Sequence, residues 1–598
     1  MEQDTDGFTS LSGGMYLSDA NHHVVAQDQA EVLVNATVRS GWASPRPAFV
    51  NVPIYWDHQF AQGAFQNGVF QGSARYDSDA GPRIAYACDG HLLTFDTENN
   101  IMRLLSPGAR RCFDRRTPFV WLQQRGRWLI AQDGVNPPVI IDGDTASLNE
   151  DPFNGIPTGC MMADGWGRLA VVGSDRARVY LSDHEYDPNS TPLSFTDDST
   201  YYLNARYFQT PKELGKIVGI AFAPSFNLQD DLGPLMVFCE KGTRVYDVRV
   251  PREQWISKDI ASTMLPTIGA CSHGGIVARG NDVLFSDQNG RIQTFKVAIS
   301  KRENARIGLA DQGVYNLYRK ENQSLRRWRQ AERFDDRILT TVWPERVRMA
   351  NGNITVRHRG FVCLEEDHMS ERPIVWNGLW TGIYPVAITT SGTYSTRNQS
   401  PRERCFCVSL DDDRKHRIYE LTRESGPDLA PDPKRVAMWV VPKWMDWNAI
   451  FKRKSFHSAA MQLGSVRGRL EIKAWWQTAG ASPKEWFTHH EARGDCMIFG
   501  DNCNLVEPEI TGVPRITLPA PDENKDFYRA RPWFRFLGNA DLNECVIGVD
   551  LNTVKPQKST VCKAPKTGLF IPRSCNPNFW EGHSSQAPAE EQLNITIC

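Results

Sequence analysis

Short apolar runs rich in Val, Ile, Phe, Tyr and Trp alternate along most of this chain with clusters of Asn, Asp and Gly. The stretch from Phe334 to Glu424 carries the pattern most clearly. Arg337–Trp343 (RILTTVW) leads to the turn signal Asn351-Gly352-Asn353 and then to Arg359–Glu365 (RGFVCLE). Pro373–Ile383 (PIVWNGLWTGI), Arg404–Leu410 (RCFCVSL) and His416–Thr422 (HRIYELT) follow, with no helix-period pattern between them. β-branched and aromatic runs separated by turn residues predict antiparallel strands joined by tight turns. The unit recurs. GHLLTFD (Gly90–Asp96), PPVIIDG (Pro137–Gly143), ARVYLSD (Ala177–Asp183), TRVYDVR (Thr243–Arg249), GRIQTFK (Gly290–Lys296), RGFVCLE and HRIYELT read as the last strands of seven such units. Their spacing of roughly 40–70 residues fits four-stranded propeller blades with variable loops. The expected fold is therefore all-β: a propeller-like body of about seven irregular blades, a C-terminal β-sandwich-like domain and extended termini. A series of β-sandwiches would have the same strand lengths and is the alternative.

Along the chain this gives an N-terminal arm and first strand at 1–50 and a propeller-like body at 51–424. The body carries polar insertions at 183–215 and 300–333. Met1–Asn21 reads as a flexible arm with a Gly13-Gly14 turn, Gln29–Arg39 as a strand, and Pro45-Arg46-Pro47 as an extended loop, along a neighbour's surface or not. Ser425–Lys434 (SGPDLAPDPK), with three Pro in ten residues, is the expected linker at 425–434. The Trp-rich segment 435–554 is the separate sandwich-like domain. The polar segment 555–598 is an arm that Phe570, Phe579 and Trp580 could pin.

At 598 residues the chain exceeds one ordinary core, unless a propeller absorbs several hundred residues as one body. Lys+Arg (68) and Asp+Glu (70) nearly cancel to a formal charge of −2, without the basic excess of a phosphate-clamping protein. Eighteen Trp suit β-architecture and subunit contacts. Met1–Gly7 lacks a secretory pattern, and no apolar run approaches the roughly 18 residues of a membrane span. Among the 14 Cys, those at 88, 239, 363, 405 and 407 lie inside strands and read as small buried thiols, kept reduced by assembly in a cytoplasm.

Candidate chemistry is sparse. Arg326, Arg327, Arg329 and Arg333 with Trp328 combine basic and aromatic groups as single-strand nucleic-acid surfaces do. A short amphipathic helix or hairpin whose arginines are solvated or paired with Glu321, Glu332, Asp335 and Asp336 also accounts for them, and is the preferred reading. Lys452-Arg453-Lys454 reads as a solvated edge. Cys405 and Cys407 share a strand face without a second pair to complete a metal set, and Cys562, Cys575 and Cys598 have irregular spacing for zinc. His22-His23 and His489-His490 point apart on a strand. The adjacent pairs Asp335/Asp336 and Glu365/Glu366 face opposite sides, whereas a retaining glycosidase needs carboxyls roughly 5 Å apart. Sequons at Asn35 and Asn353 matter only for a secreted chain. No phosphate loop and no HExxH is present. No catalytic, cofactor-binding or metal residue is assigned, no cofactor is expected, and nucleic-acid-binding residues are left unknown.

Several segments in order resemble the nozzle, or tail tubular protein B, family of short-tailed bacteriophages. They are Leu11–Asp19 (LSGGMYLSD), Asn35–Val50 (NATVRSGWASPRPAFV), Phe70–Asp96 (FQGSARYDSDAGPRIAYACDGHLLTFD) and Gly134–Gly143 (GVNPPVIIDG). Gly165–Val172 (GWGRLAVV), Leu235–Val248 (LMVFCEKGTRVYDV) and Trp376–Gly382 (WNGLWTG) continue the series, which covers about residues 10 to 425. The resemblance implies a non-enzymatic structural protein of the virion tail, assembled in the bacterial host cytoplasm. It implies a ring of six below the head-to-tail adaptor, surfaces for fibre or spike proteins, and a channel passing double-stranded DNA weakly. On that view lumen loops are mixed or acidic and the Arg326–Arg333 cluster faces protein neighbours. A carbohydrate-binding or carbohydrate-degrading propeller is the alternative. The host, receptor, gate residues and docking fibre are not legible.

Overall fold

The computed structural model describes residues 2–552 except 18–24, 80, 107–109, 150–154, 184–194, 196–206, 225–231, 250–254, 256–259, 280–281, 296–309, 367–371, 373, 393–401, 426–427, 430–432, 435, 494–514 and 523–525. Most of the 183–215 insertion, the start of the 300–333 insertion, His22-His23 and the 555–598 segment therefore lie outside the described residues.

The body is a β-propeller. Its first blade comprises Phe70–Ser78, Gly81–Cys88, His91–Asp96 and Ile101–Leu104, with Tyr55–Trp56 added at the edge. The second (Trp121–Arg125 to Thr145–Leu148), third (Gly159–Gly165 to Tyr207–Gln209) and fourth (Ile217–Pro224 to Ala261–Leu265) are four-stranded antiparallel meanders. The fifth shows three strands, Val277–Arg279, Asp282–Ser286 and Ile292–Thr294. A sixth discrete sheet closes the ring. Pro385–Thr390, Cys405–Leu410 and His416–Ser425 take their outer partner from Pro47–Asn51, with Tyr419 opposite Asn51 and Leu421 opposite Phe49.

These six blades leave one sector open, and it is filled differently from the others. Ala331–Phe334, Arg337–Val342, Gly360–Glu365 and Val375–Trp380 pair as a blade does, but form one limb of a twelve-stranded sheet. Each innermost strand lies against the next: Phe70–Ser78, Trp121–Arg125, Gly159–Gly165, Ile217–Pro224, Val277–Arg279, Ala331–Phe334, Pro385–Thr390 and back to the first. The limb thus holds the sixth of seven sectors, and the blade number is six discrete sheets plus this limb. The seven recurring segments are the third strands of their sectors, not the last. The fourth strands are short or come from elsewhere in the chain, so they leave little sequence trace.

Packing explains why the second and third strands read as continuous apolar runs. Most are buried on both faces between neighbouring blades, as Gly81–Cys88 is along its whole length, whereas the third strands Val139–Asp142 and Arg178–Leu181 alternate buried and half-buried positions. The core is a set of wedges. Phe95 of the first blade meets Phe406 of the closing blade edge-on at 5.5 Å, a contact worth about 0.5–1.5 kcal/mol beyond its area. Phe238 of the fourth meets Phe285 of the fifth at 5.0 Å.

The N-terminal residues are not an arm. Glu2–Phe8 pairs antiparallel with the strand Ala530–Asn552, Glu2 opposite Leu551, and Gln29–Val34 sits in the middle of the twelve-stranded sheet between Val375–Trp380 and Ala437–Pro442. Buried apolar positions such as Phe8, Leu11, Met15 and Leu33 are what hold them there. Nor is Pro45-Arg46-Pro47 a surface loop. Arg46 is fully buried and its guanidinium meets the Asp428 carboxylate at 2.6 Å, which ties the proposed linker onto the closing blade. Asn35 completes the node: its side chain accepts from Arg46 Nε at 3.0 Å and from the Thr381 N–H at 2.7 Å. Buried at a positive φ of 53°, Asn35 is no glycan acceptor.

The C-terminal unit is built on two very long strands, Arg453–Thr478 and Ala530–Asn552, paired throughout with several register shifts. Phe456 and Trp476 lie twenty positions apart on one strand, about 65 Å if it ran straight. Their rings are 5.9 Å apart. The ribbon therefore folds back on itself through its bulges, giving sandwich-like halves over Trp447, Trp476 and Phe527. It is continuous with the sixth sector through Gln29–Val34 and shares one hydrophobic core with it, rather than standing as a separate body.

Candidate functional site

Innermost strands of a propeller all run the same way, so the axis has a starting end and a finishing end. The two differ in chemistry.

At the starting end, Phe119 and Trp121 open the second blade's inner strand, and the 3-10 turn Gln323–Trp328 precedes that of the sixth sector. Trp328 and Phe119 rings are 5.4 Å apart, and Phe119 stacks on to Trp121 at 5.9 Å. Sectors two and six are as far apart as a seven-membered ring allows, so this contact crosses the axis. Arg327 lies over the Trp328 ring, 3.9 Å from its centroid. Two further arginines bring positive charge to bear on it. Arg176 comes from the turn between the second and third strands of the third blade, where it has a positive φ of 57° and donates to the Ile217 carbonyl at 2.7 Å. Arg346 comes from the hairpin Glu345–Arg348/Ile354–Arg357, whose tip carries the Asn351-Gly352-Asn353 turn, with Gly352 at φ 87°. Burial, then the positive charges of Arg346 and Arg176, hold Arg327 below the usual guanidinium range.

Beneath this surface the other arginines of the 326–333 run are spent internally. Arg329 is wholly buried and paired with Glu321, and it donates to the Gly290 carbonyl at 2.7 Å. Burial opposes its charge, yet Glu321 holds it above the ordinary range. Arg326 is buried against Gly290. Arg333 turns to the opposite end of the axis. The cluster is thus not one outward-facing patch; i,i+1 neighbours on a turn and strand separate by direction, so that Arg327 with Trp328 reaches the surface at this end and Arg333 at the other.

At the finishing end, acids and arginines interleave. Arg39 meets Asp335 at 3.1 Å and Glu365 at 2.8 Å, and buried Arg337 meets the same two carboxylates, Glu365 at 3.2 Å. Asn377 Nδ2 donates to Glu365 at 2.8 Å. Arg333 pairs with Glu366 at 2.5 Å and Asp336 at 3.5 Å, and Arg75 with Asp77 at 2.5 Å. Adjacent acids do point apart, as Asp335/Asp336 and Glu365/Glu366 must on a strand, but Asp335 and Glu365 converge on shared arginines across thirty residues. Glu332 accepts from Thr390 Oγ1 at 2.8 Å. Burial, reinforced by Glu403, raises its carboxyl to about 7. Glu403 is itself raised by burial, against the pull of Arg75, Arg423 and Arg333. Sequence reasoning named Glu332 only as a partner for the arginines and missed its nearness to Glu403, because nothing at 332 and 403 announces proximity.

The remaining candidates resolve simply. Cys88, Cys239, Cys363, Cys405 and Cys407 are buried free thiols. Burial pushes Cys239 up to about 11, Cys363 up to about 12 and Cys405 well above the thiol range, so they are inert packing groups. His489 and His490 sit on successive positions of Lys484–Arg493, opposite Ile472 and Glu471. Lys454 is not a solvated edge residue: its ammonium is buried and donates to the carbonyls of Ala449, Lys452 and Tyr528. It holds the turn that presents Ile450 and Phe451, the latter 92% exposed. Among the described residues no group of three His, Cys, Asp or Glu could hold a metal ion, and no helix is long and apolar enough to cross a membrane.

No protein-family model and no curated protein matches the chain. A solved mitotic checkpoint complex is similar at 12% identity and a TM-score of 0.32, covering 62% of this chain and 91% of that one. BamB from Moraxella catarrhalis is similar at 11% identity and a TM-score of 0.30, covering 64% of this chain and 99% of that one.

Proposed function

We propose that this chain is a structural tail protein of a short-tailed bacteriophage, a nozzle subunit that acts by geometry and not by catalysis. The observation that carries the proposal is the order of nozzle-like segments along residues 10 to 425, from LSGGMYLSD to WNGLWTG. On this reading six copies form a ring in the virion tail below the head-to-tail adaptor, and fibre or spike proteins dock outside. Because Trp328 meets Phe119 across the propeller axis, the DNA channel runs between copies and not through a blade ring. Heterologous ring contacts need two different faces on each subunit. Exposed apolar side chains offer them: Tyr55 and Phe60 beside the first blade, and Ile450, Phe451 and Tyr528 on the C-terminal unit. Imaging of whole tails tests the proposal. A copy number of six in the axial tube is expected; another number, or a place outside the tube, refutes it.

The carbohydrate-active alternative has one observation in its favour, the Glu332 carboxyl held at about 7 beside Glu403. Purified protein incubated with host polysaccharide is expected to release no reducing ends. Turnover abolished by Glu332→Gln would replace the structural reading with this one.

A further inference from the structure

We infer that the turn carrying Ile450 and Phe451 is a docking knob for a second copy of this chain, seated against the outer edge of that copy's first blade around Tyr55 and Phe60. The inference deepens the proposed ring of copies and takes that reading as its setting.

The knob is held rigidly. Trp447 and Asn448 stand at consecutive positive φ values of 51° and 52°, a conformation that costs a bulky residue free energy. The buried Trp447 indole donates to the Ile547 carbonyl at 2.9 Å. The Lys454 ammonium, withdrawn from water, fixes the other limb by donating to the Ala449, Lys452 and Tyr528 carbonyls at 2.6, 3.0 and 2.6 Å. Strain and a buried charge thus hold a turn whose tip is left in solvent: Phe451 is 92% exposed, with Ile450 and Tyr528 exposed beside it. A preorganised aromatic in water has the form of an interface anchor.

Charge selects the partner. Around the tip Lys452, Arg453, Lys454 and Arg529 outnumber Asp446 and Asp526, so two knobs repel and a knob-to-knob dimer is disfavoured. The first-blade edge has the opposite character. Tyr55, 63% exposed, lies opposite Ile101 in the outermost strand, and Phe60 follows on the short helix Gln59–Asn67. The Tyr55 N–H donates to the Asn100 carbonyl at 2.8 Å, which sets the turn of Asp96 and Glu98 beside Tyr55 and Asp57. Arg103, the one Lys or Arg in 53–60 and 96–103, is paired with Asp144 at 3.4 Å. Knob and edge are different surfaces of the chain, so their contact is heterologous and repeats from copy to copy.

Sedimentation velocity on the full chain tests the inference. Wild type should associate beyond a dimer as its concentration rises, and less in high salt. Phe451→Ser should weaken association at least about tenfold, the loss of an aromatic anchor, with thermal unfolding unchanged. A chain with Lys452→Glu and Arg453→Glu, and another with Asp57→Lys and Glu98→Lys, should each stay monomeric alone and associate when mixed, because each then offers the charge that the other lacks. Wild type that stays monomeric or stops at a dimer would overturn the inference. So would a Phe451→Ser chain that associates as before or loses stability, or a charge-reversed mixture that stays monomeric. Imaging of whole tails separates this contact from the tail reading. A ring of six with knob and edge apart overturns the contact alone, and association through these faces in a protein absent from tails overturns the tail reading alone.

Discussion

The two ends of the propeller axis use arginine in opposite ways. At the finishing end Arg39, Arg75, Arg333 and Arg337 are each answered by a carboxylate within 3.2 Å. At the starting end Arg176, Arg327 and Arg346 are answered by none among the described residues, and by one another's charge instead. The first arrangement belongs to the fold and the second is carried by it. The same residue type, at two ends of one ring, is thus a buried structural element in Arg337 and an exposed charge without a carboxylate partner in Arg327.

Substitutions can break this contrast. The largest effect is expected for Arg337→Met. It leaves Arg39 as the one remaining guanidinium against both Asp335 and Glu365, the latter wholly buried, and should destabilise by about 3 kcal/mol in urea unfolding. A loss below about 1 kcal/mol would mean that the finishing-end network contributes little. Next is the pH response of Glu332. Its folded carboxyl, at about 7, lies above the ordinary 4.5, so the folded state binds the proton more tightly. That contribution is complete below pH 4.5 and is lost as pH rises towards 7. Allowing for partial exposure it amounts to about 2 kcal/mol. Glu332→Gln should keep wild-type stability at low pH and exceed it at pH 8; parallel curves would remove Glu332 as the titrating group. Arg333→Gln, at an exposed pair, should cost under about 1 kcal/mol and less in high salt. The smallest effect is at the other end: Arg346→Gln should change stability by about 0.5 kcal/mol or less, in the stabilising direction, and a clear loss would make both ends alike.

Much of the ring was legible because its third strands are short apolar runs, several of them buried along nearly their whole length, and three of them follow turns with a positive φ. Gly90 (81°), Gly290 (78°) and Arg414 (58°) stand just before three of them, and each leaves an apolar run behind a turn residue. What was not legible is distant pairing. Pro47–Asn51 reads as an isolated run, and its partner is more than 360 residues away in His416–Ser425. The sandwich-like unit was foreseen from its strands, but its continuity with the sixth sector passes through Gln29–Val34, where only register reveals it. The same holds for the sites. Arg327 and Trp328 are adjacent in sequence and were visible as a pair. Arg176 and Arg346, whose positive charges act on Arg327, lie in a turn and a surface hairpin that any soluble surface could carry.

The pairing of Glu2–Phe8 with residues 545–551 has a consequence in time. Glu2–Phe8 has no partner in the sheet until residues 545–551 leave the ribosome. At roughly 5–20 residues per second that wait is on the order of half a minute to two minutes. Pro47–Asn51, which closes the ring, waits for residue 421. Until residue 375 is made the growing chain therefore holds three strands, Glu2–Phe8, Gln29–Val34 and Pro47–Asn51, without their long-range partners, and five blades can stand complete while the circle remains open. The newborn protein is a spiral before it is a wheel, and its first strands are among the last to find their place.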